Sequence, residues 1–154
     1  MAFRDALGAA TIVSDTVSLI HEIFDISRAK GHELLLFESI EQSPGHRAAI
    51  NLLTRSRLCA ALDIKAEDFL DLLQWAMNNP STPEIIEAGE VQQCNQSPVD
   101  LTVLPIPHHW RQDRGRYMSA SVIIAEQDGI RNMSFHRQFL RDENHLVARL
   151  VPRH

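Results

Sequence analysis

The sequence predicts a mixed α/β (α+β) chain in two parts: an α/β domain over residues 1–99, then a connecting loop and the start of an antiparallel sheet over 100–154. Three observations carry this. Helical and strand periodicities alternate as far as Asn78-Asn79-Pro80, a Pro-, His- and Arg-containing stretch breaks all periodicity over 95–116, and extended runs separated by turn residues follow it.

The elements follow in order. Between Ser14 and Lys30 the apolar residues Val17, Ile20, Ile23 and Phe24 recur at helical spacing, with Ser14 or Asp15 as N-cap and Gly31 as the stop. The run Glu33 to Glu38, bounded by Gly31 and by the turn Ser43-Pro44-Gly45, suits a buried strand, and a short strand from His46 to Ile50 follows. Thr54 to Leu62 and Ala66 to Met77 read as helices, the second ended by Asn78-Asn79-Pro80. Leu70, Leu73 and Met77 are expected to line its core side, with Phe69, Leu72 and Ala76 widening the stripe and Trp75 packing. Residues 84–94 read as a strand. Tyr117 to Glu126 and Ile130 to Arg141 are extended runs joined by Gln127-Asp128-Gly129, which is hairpin turn chemistry, and a third strand, His145 to Val151, follows Asp142-Glu143-Asn144. Three strands leave an open edge that needs a further strand or partner.

Composition narrows the function classes. A chain of 154 residues, 44% hydrophobic and 23% charged, can bury one ordinary core, and its formal net charge of −5 argues against a broad grip on nucleic acid. The start Met1-Ala2-Phe3-Arg4-Asp5 has no basic region leading into an apolar stretch, and no apolar run approaches the roughly 20 residues of a bilayer span. The expectation is a cytoplasmic protein with no transmembrane segment. Cys59, in a helix, and Cys94, in a polar strand, make no metal or redox spacing and are read as reduced structural thiols.

His108, His109, His136, His145 and His154 crowd the last third without the short local pairs that zinc sites use, so they read as surface or turn residues. Glu84, Glu87 and Glu90 read as solvent-facing acids. Arg131, Arg137, Arg141, Arg149 and Arg153 are interleaved with apolar strand residues. An arginine pointing into a β-lined cleft offers a planar fork for carboxylate or phosphate oxygens, while the remainder are solvated strand-face charges.

The segment Asp100-Leu101-Thr102-Val103-Leu104-Pro105-Ile106-Pro107, followed by Asp113, Gly115 and Tyr117, resembles the signature of the UbiD-type (3-polyprenyl-4-hydroxybenzoate carboxy-lyase-like) decarboxylases. The likeness continues through Arg131-Asn132-Met133-Ser134-Phe135-His136-Arg137, and more weakly through the opening residues, Leu35-Leu36-Phe37-Glu38 and Asn51-Leu52-Leu53. It implies the N-terminal portion of such an enzyme, with residues 100–154 entering a split β-barrel that binds prenylated FMN. It also implies a divalent metal (Mn²⁺ or Mg²⁺) and leaves room for a monovalent cation beside it. By resemblance Asn132 and His154 bind the metal, Phe135, His136, Arg137, Arg149, Leu150 and Val151 hold the cofactor, and Arg137 is catalytic, facing the substrate carboxylate. An amide oxygen is a hard donor suited to such a metal beside a phosphate. Strand alternation puts Asn132 and Arg137, five apart, on opposite faces, so a shared site requires a bulge or bend between them.

The resemblance implies reversible, non-oxidative decarboxylation of an aromatic or α,β-unsaturated acid by a longer chain that supplies the remaining carboxylates, this chain alone being inactive. The expected partners are a small carboxylic-acid substrate, a flavin prenyltransferase as cofactor supplier and further copies in a homo-oligomer. The ending at Pro152-Arg153-His154, within the motif, favours a piece of such an enzyme. The alternative is a stand-alone, non-catalytic flavin-binding or assembly module derived from that family.

Overall fold

The first unit is built on a strand that is buried on both sides. In the computed structural model, which describes residues 9–149, β2 (Leu35–Ile40) lies between β1 (Thr11–Val17), parallel to it, and β3 (Ala48–Ile50), antiparallel to it. Leu35, Leu36 and Phe37 are all buried, as the continuous apolar run requires. Helix α1 (Glu22–Lys30) contributes Ile23 to a core with Val17, Leu19, Leu35, Phe37 and Ile40. Among the described residues no helix is long and apolar enough to cross a membrane.

The expected helix from Ser14 is corrected here. Thr11, Ile12, Val13, Thr16 and Val17 are β-branched, and they pair with β2 instead of coiling. The chain turns only at Ser18 to His21, and the N-cap is His21 at φ 68°, while Gly31 closes the helix as expected. Glu22 accepts from the Ser18 backbone N–H at 2.7 Å, satisfying a donor at the turn into the helix. The spacing of Val17, Ile20 and Ile23 mimicked one helix because a strand and a helix abut across a tight turn.

Helix α2 (Arg55–Ala61) starts on Thr54, whose side chain accepts from Arg57 N, and buries Cys59. Both Cys59 and Cys94 are free, but Cys94 is exposed. Helix α3 (Phe69–Asn78) forms where expected, yet none of its residues is buried. Leu70, Leu73, Trp75 and Met77 are all exposed, Met77 at 82%, so the expected core stripe and the packing of Trp75 are not met. The amphipathic pattern promotes the helix, but no other element of the described chain offers it a complementary surface. The strand expected over 84–94 is likewise absent. Its backbone finds no partner strand, Ile85 and Ile86 stay exposed, and only a 3₁₀ turn, Glu90–Gln93, forms after Gly89. Cys94 therefore follows that turn and does not lie in a strand. Glu84, Glu87 and Glu90 are exposed.

The second sheet has the order β4-β5-β6, with β4 (Tyr117–Gln127) and β5 (Ile130–Leu140) forming a long antiparallel hairpin and β6 (Leu146–Ala148) beside β5. Gln127 pairs with Ile130 across Asp128 and Gly129, whose φ angles of 53° and 77° are those of a two-residue type I′ turn. Gly129→Val is expected to destabilise the protein by about 1–2 kcal/mol, because a Cβ in the left-handed region is strained; a urea midpoint would read it. The sheet is tied to the connection by Leu101 N–H donating to Glu143 O at 2.6 Å.

Candidate functional site

The connection is rigid because its carbonyls are claimed. Asp100 caps the short 3₁₀ turn Leu101–Val103, accepting from Thr102 N–H at 2.8 Å, and the Thr102 hydrogen bonds hold its carboxyl below the ordinary range. Beyond it Pro105 and Pro107 have no N–H to give. The Arg116 guanidinium supplies the donors instead, reaching the carbonyl oxygens of Thr102 (3.1 Å), Leu104 (2.6 Å) and Ile106 (2.7 Å). Burial pushes the Arg116 pKa down, but a guanidinium keeps its charge.

His108 then stitches the two units together. Its N–H donates to Leu19 O at 2.8 Å, and its carbonyl accepts from His21 N–H at 2.9 Å, so a parallel bridge joins the turn before α1 to the connection. The His108 Nε2 lies 3.1 Å from Asp113 O, and Asp113 N–H donates to Trp110 O at 2.9 Å, which fixes the loop carrying Asp113.

Asp113 faces Arg137. The Arg137 Nη2 is 2.5 Å from Asp113 Oδ2, and the guanidinium carbon sits 4.0 Å from the centre of the Tyr117 ring. Tyr117 pairs across the hairpin with Phe139, their rings 5.2 Å apart, and Gly115 leaves room there, since a Cβ would come within 3.1 Å of the Phe139 ring. Hydrogen bonding to Arg137 lowers the Asp113 pKa, so the pair is charged at neutral pH. Opposite Arg137, strand β4 carries a bulge: Met118 pairs with Gln138 and Ser121 with His136, which leaves Ser119 and Ala120 facing one residue.

Arg137, Asp113 and Ser119 line a cavity of about 290 Å³ together with Phe24, His109 and Trp110. The Phe24 and Trp110 rings are 4.5 Å apart, and burial pushes the His109 pKa down, with Arg137 and His108 adding to the effect against Asp113. His109 is therefore neutral at pH 7. A mostly apolar cavity of about 430 Å³, walled by Ala48–Ile50 and Leu104–Pro107, shares His109 and Ser119 with the first. One cation beside aromatic and apolar walls suits an anion with a flat or hydrocarbon body.

The expected site residues divide between two faces. Pairing of β5 with β4 is unbroken from Ile130 to His136, so the bulge sits on β4 beside Arg137 and does not fall between Asn132 and Arg137. Phe135 shares the Arg137 face, whereas Asn132 and His136 are on the other, where the His136 Nε2 lies 2.8 Å from Ser134 Oγ. Arg149 is exposed after β6. Leu150, Val151 and His154 lie outside the described residues.

The Arg137 face presents Val122 opposite Phe135 and Ile124 opposite Met133, all exposed, Phe135 at 78%. That apolar strip offers a surface on which a flat apolar body can lie. For a metal, Asn132 supplies one hard oxygen, but among the described residues no group of three or more His, Cys, Asp and Glu converges on one point. These residues do not by themselves make a metal site.

Reading the residues one by one missed Asp113 as the partner of Arg137, the ring of Tyr117 beneath it, and the roles of His108 and Arg116. The available signal was the Asp-x-Gly-x-Tyr spacing of Asp113, Gly115 and Tyr117.

Comparisons with known proteins bear on the same residues. Residues 84–154 match the 3-octaprenyl-4-hydroxybenzoate carboxy-lyase Rift-related domain of UbiD. Over 99% of its length the chain is 33% identical to the anhydromevalonate phosphate decarboxylase of Methanothermobacter thermautotrophicus, of which it covers 36%. It thus spans about a third of the curated relatives it matches. The fold matches an evolved dimeric form of the UbiD-class enzyme HmfF from Pelotomaculum thermopropionicum in complex with prFMN, with a TM-score of 0.87 and 28% identity over 99% of this chain and 37% of that one. The 3,4-dihydroxybenzoic acid decarboxylase AroY of Klebsiella pneumoniae, at 18% identity and a TM-score of 0.81 over 97% of this chain and 36% of that one, bears on the fold alone. Its signature segment, its Rift-related stretch and its fold all point one way: residues 84–154 carry the UbiD Rift-related domain, and the chain as a whole is similar to UbiD-class enzymes.

Proposed function

We propose that this chain is part of a reversible, non-oxidative decarboxylase that uses a prenylated flavin and acts on an aromatic or α,β-unsaturated carboxylic acid. The observation that carries the reading is Arg137, held by Asp113 and Tyr117 against a cavity with aromatic walls. Arg137 orients the substrate carboxylate through its planar fork. Losing CO₂ from an sp² carbon leaves an unstabilised carbanion, and a prenylated flavin supplies the electron sink such chemistry needs. Phe135 and Arg137, with His136, Arg149, Leu150 and Val151, contact the cofactor in this reading. Asn132 and His154 contribute to a Mn²⁺ or Mg²⁺ site completed by further ligands. The HmfF complex with prFMN supports the cofactor, and the relatives acting on anhydromevalonate phosphate support an acid substrate. A flavin prenyltransferase as supplier, a homo-oligomer and a cytoplasmic location belong to the same proposal.

The test is intact mass and an absorbance scan of protein co-produced with a flavin prenyltransferase, followed by CO₂ release from a panel of aromatic and unsaturated acids, one of them phosphorylated. Bound flavin with CO₂ release supports the reading. A 154-residue mass that holds flavin without turning over any acid would instead support a flavin-binding or assembly module. Asn132→Ala is expected to lower metal retained after dialysis by at least about tenfold, measured by elemental analysis.

A further inference from the structure

We infer that Asp113 and Tyr117 are positioning residues that hold the Arg137 guanidinium in one orientation towards the cavity formed with Phe24, His109 and Trp110. The inference rests on Arg137 being the carboxylate anchor proposed above. An unrestrained arginine samples many rotamers, and an anion must then order the side chain as it binds. Here the ordering is done in advance. The Asp113 carboxylate forms an ion pair with Nη2 at 2.5 Å, and the guanidinium carbon lies 4.0 Å from the centre of the Tyr117 ring. A guanidinium has five N–H donors in a rigid fork, and Nε and Nη1 have no protein partner among the described residues. They remain for an incoming carboxylate.

The support for the two positioning groups is itself anchored. Tyr117 N–H donates to Pro107 O at 3.0 Å, Gly115 lets the Phe139 ring come up beside Tyr117, and His108 ties the Asp113 carbonyl to the first unit. The β4 bulge at Ser119 and Ala120 puts two residues opposite Arg137, and Ser119 lines the cavity. The Asp-x-Gly-x-Tyr spacing thereby has a physical meaning: an acid and a ring that meet one arginine on the next strand, with a close approach to Phe139 between them.

Asp113 also neutralises much of the Arg137 charge. Removing it leaves a site that is more attractive to an anion in the ground state but less well oriented. Asp113→Asn is therefore expected to lower kcat by at least about tenfold with KM unchanged or lower, a split that general loss of structure does not produce. Asp113→Glu, which keeps the charge, restores part of kcat, and Tyr117→Phe, which keeps the ring, changes it less than Tyr117→Leu.

A direct reading uses ¹⁵N-labelled arginine side chains in the full chain, with Arg137→Lys to assign the signal. In wild type the Arg137 nitrogens should show hindered rotation, lost in Asp113→Asn and Tyr117→Leu and kept in Tyr117→Phe. A freely rotating Arg137 in wild type, or one still held in Asp113→Asn, overturns the inference. A held guanidinium freed by Asp113→Asn upholds it even if no acid is turned over, in which case the decarboxylase reading is what fails. If Asp113→Asn does not fold, the Tyr117→Leu and Tyr117→Phe pair decides alone.

Discussion

Under the proposed function, Arg137→Ala in the flavin-loaded protein is expected to lower kcat/KM by about 10²–10³-fold, the value of a charge-assisted fork that fixes a reacting carboxylate. Two effects add. The anchor is lost, and the Asp113 carboxylate, now without its partner, faces the cavity as a like charge to the substrate. Arg137→Lys keeps the charge but loses the fork and the stacking on Tyr117, so it should fall between the two. Initial-rate measurements of CO₂ release across the three proteins give the order. Wild-type rates within threefold of Arg137→Ala would remove Arg137 from the site. The acid side of the stability curve offers a second check. Arg137 depresses the Asp113 pKa in the folded state, so the pair's contribution is complete above the ordinary aspartate value and is lost as pH falls through the depressed one. Arg137→Ala should remove that part of the acid-limb pH dependence.

What was legible in the sequence depended on how local its cause was. The two strands of the hairpin and their turn were legible, because Asp128-Gly129 decides both the turn and the register beside it, but the bulge at Ser119 and Ala120 was not. The buried strand β2 was legible from an unbroken apolar run. β1 was not, since a parallel partner lies beyond any local window and its apolar residues fall at spacings that a helix also explains. The apolar stripe of α3 was visible, but a stripe says nothing about which surface meets it. At the site, family resemblance singles out Arg137, which the structure places on the wall of a cavity, whereas its pairing with Asp113 depends on the His108 bridge to Leu19 and His21, a contact between units that no spacing announces.

Arg116→Ala is expected to destabilise the protein by about 2–4 kcal/mol, the largest stability loss anticipated for a residue outside the apolar core. Hydrogen bonds to a charged group contribute roughly 1.5–3 kcal/mol each, and the total is discounted because Arg116 is only half-buried and water can reach some of the released carbonyls. Leu104 O keeps the Ile106 N–H at 2.7 Å, but the Thr102 and Ile106 carbonyls have no such substitute, since Pro105 and Pro107 lack N–H groups and Arg114 is occupied over the Phe139 ring at 5.3 Å. Losing Arg116 loosens Leu101 to Ile106, and with it the wall of the larger cavity and the approach to His108. Urea unfolding should show the lowered midpoint, and limited proteolysis should show new cleavage within 101–107. Arg114→Ala, which removes an equal charge from an exposed position, controls for electrostatics and should cost under about 1 kcal/mol. Equal effects from the two variants would mean that charge alone matters here, and that the connection does not depend on the carbonyl contacts of Arg116.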